Sequence, residues 1–316
     1  MTVGVISHLP NPDFAAVRSL ARAAERAGAD WLGLPDAFWW RDTWLLLAEA
    51  ARATRHIALG PMVTNPYMRH PFHTVSALAS LQELAGERAF VGIGAGGSEV
   101  SGAAHIPRKD AAGKVRSLVQ LVRRAQQGEP LDAASGRNLE FPLRPLRVLI
   151  AGRGDRILSV AGECADSVLL WAIPHSDLPR STAIVARGAL DARRRPELIW
   201  APLVDHGGAS RERLRTIAAY SVLNSHPSLH AAWGLDHQGL TDLRTRLVGG
   251  GAAAAQDLVP AAALDDLILH DPAPASVANL AADLGATSIA IPAFSIEEVA
   301  QQVAWARAVL EAASTR

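Results

Sequence analysis

The sequence has 316 residues, 49% hydrophobic and 20% charged, with 31 basic and 31 acidic side chains. A formal charge of zero without a basic run excludes the electrostatic footprint of a nucleic-acid binder or a polybasic membrane-surface segment. The single cysteine, Cys164, excludes an intramolecular disulfide and fits a reducing, cytoplasmic compartment; with no apolar run of about 18 residues and no basic lead before Met1–Ser7, neither a membrane span nor a signal peptide is expected.

In chain order, Val3 to Ser7 is a short β-branched run. Asp13 caps a helix to about Ala27, with Val17, Leu20, Ala21 and Ala24 at helical spacing. Trp31 to Leu34 is the next strand, closed by Pro35-Asp36, and a helix follows from Thr43 to Ala53. Ile57 to Met62 is a third strand, and Pro71 opens a helix through Leu84, where its missing N–H does no harm. Ala89 to Gly94 is the fourth strand and Ala111 to Gln127 the helix after it.

The second half repeats the alternation. Arg147 to Ala151, Ser167 to Ala172 and Glu197 to Val204 read as strands five to seven. Helices follow them to about Ala165, from Pro179 to Arg194, and from Arg211 to Asn224. Residues 225 to 262 read as an insertion of short helices, and helical residues are expected near Leu264 to Leu269. A helix from Ala275 to Leu284, the eighth strand Ser288 to Ile291, and a helix from Ile296 to Ala313 complete the pattern. Continuous apolar strands alternating with helices predict buried parallel pairing. Their count favours a closed (β/α)₈ TIM barrel, one domain over residues 1–316, with the helical insertion late in it. The loops after the strands then gather His8, Asp36, Met62 to His70, Gly94 to Glu99, Gly152 to Asp155 and Trp171 to His175 around one mouth.

Three segments at that mouth carry chemistry. Gly92-Ile93-Gly94-Ala95-Gly96-Gly97 fits the dinucleotide pattern only formally, because a loop and not a helix follows it. It reads better as a strand end stripped of side chains for a flat ligand at Gly94, Ala95, Gly96 and Gly97, or as a tight turn. Ala151-Gly152-Arg153-Gly154 stands where a strand meets a helix, where backbone N–H groups with Arg153 can make a phosphate site, the alternative being that Arg153 is a solvated loop cation. Leu59 to Pro71 is a strand that breaks into a proline-rich loop carrying Thr64, Asn65, Tyr67, Arg69 and His70. His8, Asp36 and Glu99 are the candidate catalytic residues, with His8 a candidate proton donor. Cys164 reads as core, and no H-E-x-x-H or G-x-S-x-G occurs, so neither a metal nor an α/β-hydrolase is implied.

Trp31 to Asp36, Leu59 to Pro71, Gly92 to Gly96, and Ala151 to Gly154 running on to Ala161 to Asp166 stand in one order along nearly the whole chain. Together they resemble the bacterial luciferase-like superfamily. The resemblance is greatest to its branch using the deazaflavin coenzyme F-420, typified by methylenetetrahydromethanopterin reductase. It implies a (β/α)₈ barrel, a homodimer, and a flat isoalloxazine-type ring at the mouth. It implies a cis peptide at Met62–Val63 behind that ring, with Thr64 and Asn65 beside it. Ala151, Gly152, Arg153 and Gly154 match the phosphate side, near Trp171 and Ala172.

Three positions depart from the branch. Ala37 stands where a histidine is usual, Gly97 where an acid is frequent, and Trp171 where a small or hydroxyl residue is common. Phe38, Trp39 and Trp40 crowd the mouth, fitting an apolar or aromatic substrate or a cap over the barrel. The resemblance implies an oxidoreductase passing a hydride between reduced F-420 and a small organic molecule. The alternatives are an FMN-dependent monooxygenase and a non-catalytic cofactor-binding barrel.

Overall fold

The computed structural model describes residues 1–97, 102, 104–207, 210–251 and 253–314. Glu99 lies outside the described residues.

Eight parallel strands form the central sheet: β1 (Thr2–Ser7), β2 (Trp31–Leu34), β3 (Ala58–Pro61), β4 (Phe90–Gly94), β5 (Arg147–Ala151), β6 (Ser167–Trp171), β7 (Glu197–Ala201) and, after two strands outside it, β10 (Ser288–Ala293). Their order, β3-β2-β1-β10-β7-β6-β5-β4, leaves β3 and β4 at its two ends. Bridges at Leu59–Ala89 and Thr64–Ile93 join those ends, so the sheet closes on itself as a (β/α)₈ barrel.

Side-chain parity fills the barrel. Ile6, Trp31, Met62, Phe90, Leu149, Leu169, Ile199, Ala201 and Ala290 pack together inside it. The opposite parity, such as Val3, Val5, Leu32, Val91 and Val148, meets the helices in a second apolar layer. Helix faces match: Val17, Leu20, Ala21 and Ala24 of the helix Phe14–Arg26 are buried, with Asp13 accepting the Ala16 N–H at its start. Gly4 has no side chain because the Trp31 ring fills the space, 2.0 Å from where a Cβ would stand.

The expected seventh strand does not run unbroken to Val204. Pro202 has no N–H for the ladder, and the chain divides there. Leu203–Asp205 (β8) leaves the barrel and pairs in parallel with Ile268–His270 (β9) in a separate two-stranded sheet. This also corrects the expected helical stretch: the helix Ala261–Leu267 stops one residue before β9. Between β8 and β9 lie the helices Ser210–Leu223, Pro227–Ala232 and His237–Gly250, with a 3₁₀ turn at Ala253–Leu258. They bury their own core around Leu214, Ala218, Trp233, Leu243 and Leu267, and this core reaches the barrel through Ala172 and Phe294.

Candidate functional site

At the end of β3 the chain leaves β4 and then returns to it. Thr64 N–H donates to Gly92 O and Gly94 N–H donates to Thr64 O, each at 2.9 Å, restoring the pairing beyond the excursion. The residues between are Met62 and Val63, and their peptide bond is cis. The glycines opposite are what let this bulge sit against its neighbours. A Cβ on Gly94 would stand 2.6 Å from Val63 Cγ2, one on Gly92 2.5 Å from Pro61 O, and one on Gly33 2.5 Å from Met62 Cβ. Gly92 and Gly94 therefore serve the bulge first, and any ligand meets the bulge surface they support. Gly96, at φ +74, carries the turn that follows, and its carbonyl accepts from Arg108 Nη1 at 2.7 Å. Ala95 packs partly buried against the main core.

Asn65 is buried, and its Oδ1 accepts the N–H groups of Tyr67 and Met68, both at 3.0 Å. It holds the loop onto the bulge. His70 bonds within that loop, with Nδ1 accepting the Phe72 N–H at 3.3 Å at the start of the helix Pro71–Leu84. Thr64 is buried, and its hydroxyl faces the Asp36 carboxylate. Burial pushes the Asp36 carboxyl above its ordinary range, against the opposing pull of Thr64 and Arg69, with Asp42 adding to the rise. Asp36 thus belongs to a group on the β2–β3 side, with Thr64, Arg69 and Asp42, where Arg69 Nη2 pairs with Asp42 Oδ2 at 2.6 Å. Phe38, Trp39 and Trp40 follow Asp36 and stand exposed, touching edge to face with ring centroids 5.0 and 6.3 Å apart.

His8 is on the other side of the mouth. It leaves β1, yet its ring stacks on Trp171 of β6, with centroids 5.0 Å apart and planes 18° from parallel. Phe294, just past β10, completes the group with its ring 5.6 Å from His8. Strands β1 and β6 are separated in the barrel by β10 and β7, so this stack bridges over their ends. The Met62–Val63 bulge lies away from this stack, where β3 meets β4. Burial, reinforced by the charge of Arg213, lowers the His8 pKa to about 4. The imidazole is therefore neutral near pH 7, and any proton it delivers comes from a neutral ring. Its Nε2 is buried without a partner.

Just past β5, Arg153 donates from Nε to Trp171 O at 3.2 Å. Burial lowers its pKa to about 10, which leaves it charged at neutral pH. Gly152 packs under Ile157, and Gly154 starts the helix Asp155–Cys164 with no side chain capping the first N–H groups and nothing within 4 Å of where its Cβ would be. Free N–H groups at a helix start with a buried guanidinium beside them make an anion seat. Ala172 turns differently: at φ +47 its side chain is buried in the insertion core and not in the mouth.

Arg213 and Phe294 escaped sequence reasoning. Phe294 could have been found by parity, because it continues the inward series Ala290, Pro292. Arg213 sits in the first turn of the helix Ser210–Leu223, where nothing local marks it, and its Nη1 donates to Phe294 O at 2.6 Å. Among the described residues a large concavity of about 810 Å³ lies outside the barrel, lined in part by Lys114, Leu118, Arg123, Glu163 and Cys164. Its charges are engaged, Arg116 with Glu163 and Arg123 with Asp166, and the Cys164 thiol is pushed up to about 11.

The bulge, the anion seat and the barrel order point in one direction. A family model of luciferase-like monooxygenases matches residues 1–287. The chain belongs to that family. The 5,10-methylenetetrahydromethanopterin reductase of Archaeoglobus fulgidus is 26% identical over 254 residues, 77% of this chain and 76% of that protein. The F-420-dependent hydroxymycolic acid dehydrogenase of Mycobacterium tuberculosis is 29% identical over 199 residues, 56% of this chain and 54% of that one. Among solved structures, the coenzyme F-420-dependent tetrahydromethanopterin reductase of Methanopyrus kandleri superposes with a TM-score of 0.79 at 21% identity, covering 96% of each chain. In this luciferase-like barrel, the residues present fit a flat, phosphate-bearing cofactor. The bulge is braced from behind by glycine backbone, the helix start at Gly154 is uncapped, and Arg153 has no carboxylate partner among the described residues.

Proposed function

We propose that this protein is an F-420-dependent oxidoreductase that moves a hydride between the reduced coenzyme and a small organic substrate. The observation that carries the reading is the braced Met62–Val63 bulge together with an uncapped helix start. The names of the relatives, two of which act with F-420, support the coenzyme. When bound, the deazaflavin supplies the hydride chemistry, and the protein supplies position and protons.

Met62, Val63 and the Gly94–Gly97 turn support the ring's back face. Thr64 and Asn65 border it. The N–H groups after Gly154, with Arg153, hold the phosphate. The substrate lies over the exposed ring face, between the His8–Trp171 wall and the exposed Phe38–Trp40 group, which suits an apolar or aromatic body. His8 Nε2 is an unpartnered hydrogen-bond group on the wall, while Asp36 on the β2–β3 side stands ready to hold or release a proton. Because burial holds its pKa up, Asp36 exchanges protons closer to neutral pH than an ordinary carboxyl does. Leu45, Phe72 and Leu84 leave apolar side chains exposed on two adjacent helices, which fits a homodimer. Among the described residues no helix is long and apolar enough to cross a membrane.

Side-by-side titration of the protein with F-420 and with FMN tests the coenzyme. Tight, saturable binding of F-420 is expected; binding of FMN alone would sink the reading. Asp36→Asn should lower turnover by about 10²-fold with the thermal midpoint unchanged, in line with the loss of a positioned proton-transfer group. Unaltered turnover in that variant removes Asp36 from the reaction.

A further inference from the structure

Arg213 carries a charge that no carboxylate balances among the described residues. It is half-buried, it comes from the insertion and not from a barrel strand, and it reaches to the rim of the mouth to donate to Phe294 O at 2.6 Å. Among the described residues it has no carboxylate partner, although Arg211 two residues earlier pairs with Asp205 at 2.7 Å. Beside it, the His8 ring lies 5.6 Å from the Phe294 ring and presents a buried Nε2 with nothing to bond. The walls between are apolar: Phe294 itself and the Trp171 ring stacked on His8. Removing a guanidinium from bulk water without a counter-charge is costly, and an unpartnered buried imidazole nitrogen adds to the cost. Both debts are met at once by one ligand oxyanion.

We infer that Arg213 and His8 together form the substrate's anion pocket, and that the substrate carries a carboxylate on an apolar, preferably aromatic, body. The carboxylate takes one oxygen to the Arg213 guanidinium, whose remaining N–H groups are free of carboxylates among the described residues. The other oxygen accepts the N–H of the neutral His8 ring. The aromatic body lies along Trp171 and Phe294. The Gly154 helix start, which follows β5 and serves the coenzyme's phosphate, is a different seat, and Arg153 beside it donates to Trp171 O. The inference rests on the proposed function for the identity of the site. It adds what that reading leaves open, the class of substrate and the residue that selects it. Arg213 selects the substrate and positions it; it takes no part in the hydride step.

The test is calorimetric titration of the full-length protein, with and without F-420, using benzoate and its neutral isostere benzamide. Benzoate should bind at least about tenfold more tightly than benzamide, as a charge-assisted pair requires. Arg213→Gln should lose that preference, and Arg213→Lys should keep much of it. The His8 ring nitrogen resonances should shift on adding benzoate to the wild-type protein and not to Arg213→Gln. Equal binding of the two probes, no benzoate binding, or a benzoate preference untouched in Arg213→Gln would each overturn the inference. If Arg213→Gln does not fold, Arg213→Lys and the wild-type comparison decide it. The coenzyme titration is scored separately. F-420 binding without a benzoate preference removes this inference alone, and benzoate preference without F-420 binding removes the proposed coenzyme alone.

Discussion

Gly94→Val is expected to weaken coenzyme binding by at least about 10²-fold, close to 3 kcal/mol. The new side chain would begin 2.6 Å from Val63 Cγ2 and 3.2 Å from Ala151 O. Ala151 belongs to β5 and cannot withdraw without opening the barrel, so the movement falls on Val63. In the proposed function, Val63 is half of the ridge that receives the ring. The barrel itself should lose about 1–3 kcal/mol, the usual cost of overpacking, and remain folded. Gly249→Ala is the matched control, because nothing lies within 4 Å of its Cβ position and the residue is far along the chain in an insertion helix. Fluorescence titration and thermal melts of the two variants measure both effects. Wild-type affinity in Gly94→Val would show that the ring does not rest on the bulge.

His8 should make the protein acid-sensitive over a defined range. Its pKa is about 4 in the folded chain against 6.5 unfolded. Between those values the unfolded chain binds a proton that the folded chain refuses. The stability gained by keeping His8 neutral is therefore complete above pH 6.5 and is lost as pH falls towards 4, amounting to about 3 kcal/mol in total. His8→Gln removes the titrating group. It should cost stability at neutral pH, where the stack on Trp171 is lost, but flatten the decline between pH 6.5 and 4. Urea unfolding at several pH values reads the slope directly. An equally steep decline in His8→Gln would assign the acid sensitivity to other groups.

The barrel was legible in the sequence because its signals are local. Apolar strands, capping residues such as Asp13, and prolines at helix starts such as Pro71 each mark an element without reference to the rest. The exception is also physical: Pro202 ends β7, but which partner Leu203–Asp205 then finds depends on Ile268–His270, over sixty residues away. In the mouth, the broken strand end at Leu59–Pro71 and the glycine turn at Ala151–Gly154 were visible as motifs, and the cis bond at Met62–Val63 followed from the family resemblance. What the motifs could not tell was the packing behind them. Gly92 and Gly94 look like room for a ligand in the sequence, and in the fold Pro61 and Val63 occupy that room. Trp171 looks like an intrusion at the phosphate side, yet its ring turns to His8 across the barrel. Contacts of that kind join β1 to β6, and no spacing along the chain encodes them. Arg213 is the extreme case, a single guanidinium brought to the rim by an insertion whose own sequence is unremarked.

The mouth therefore has two halves with different work. The β2 to β5 side carries the bulge, the helix start and Asp36. The β6, β10 and β1 side carries the aromatic wall, with Arg213 behind it. The measurement that tests this division most directly is a crystal structure with F-420 bound. The account predicts the deazaflavin ring with its back face on Met62 and Val63, its phosphate at the N–H groups following Gly154 beside Arg153, and its open face towards His8 and Trp171. A ring seated away from the bulge, or a phosphate held elsewhere than the start of the helix Asp155–Cys164, would contradict it.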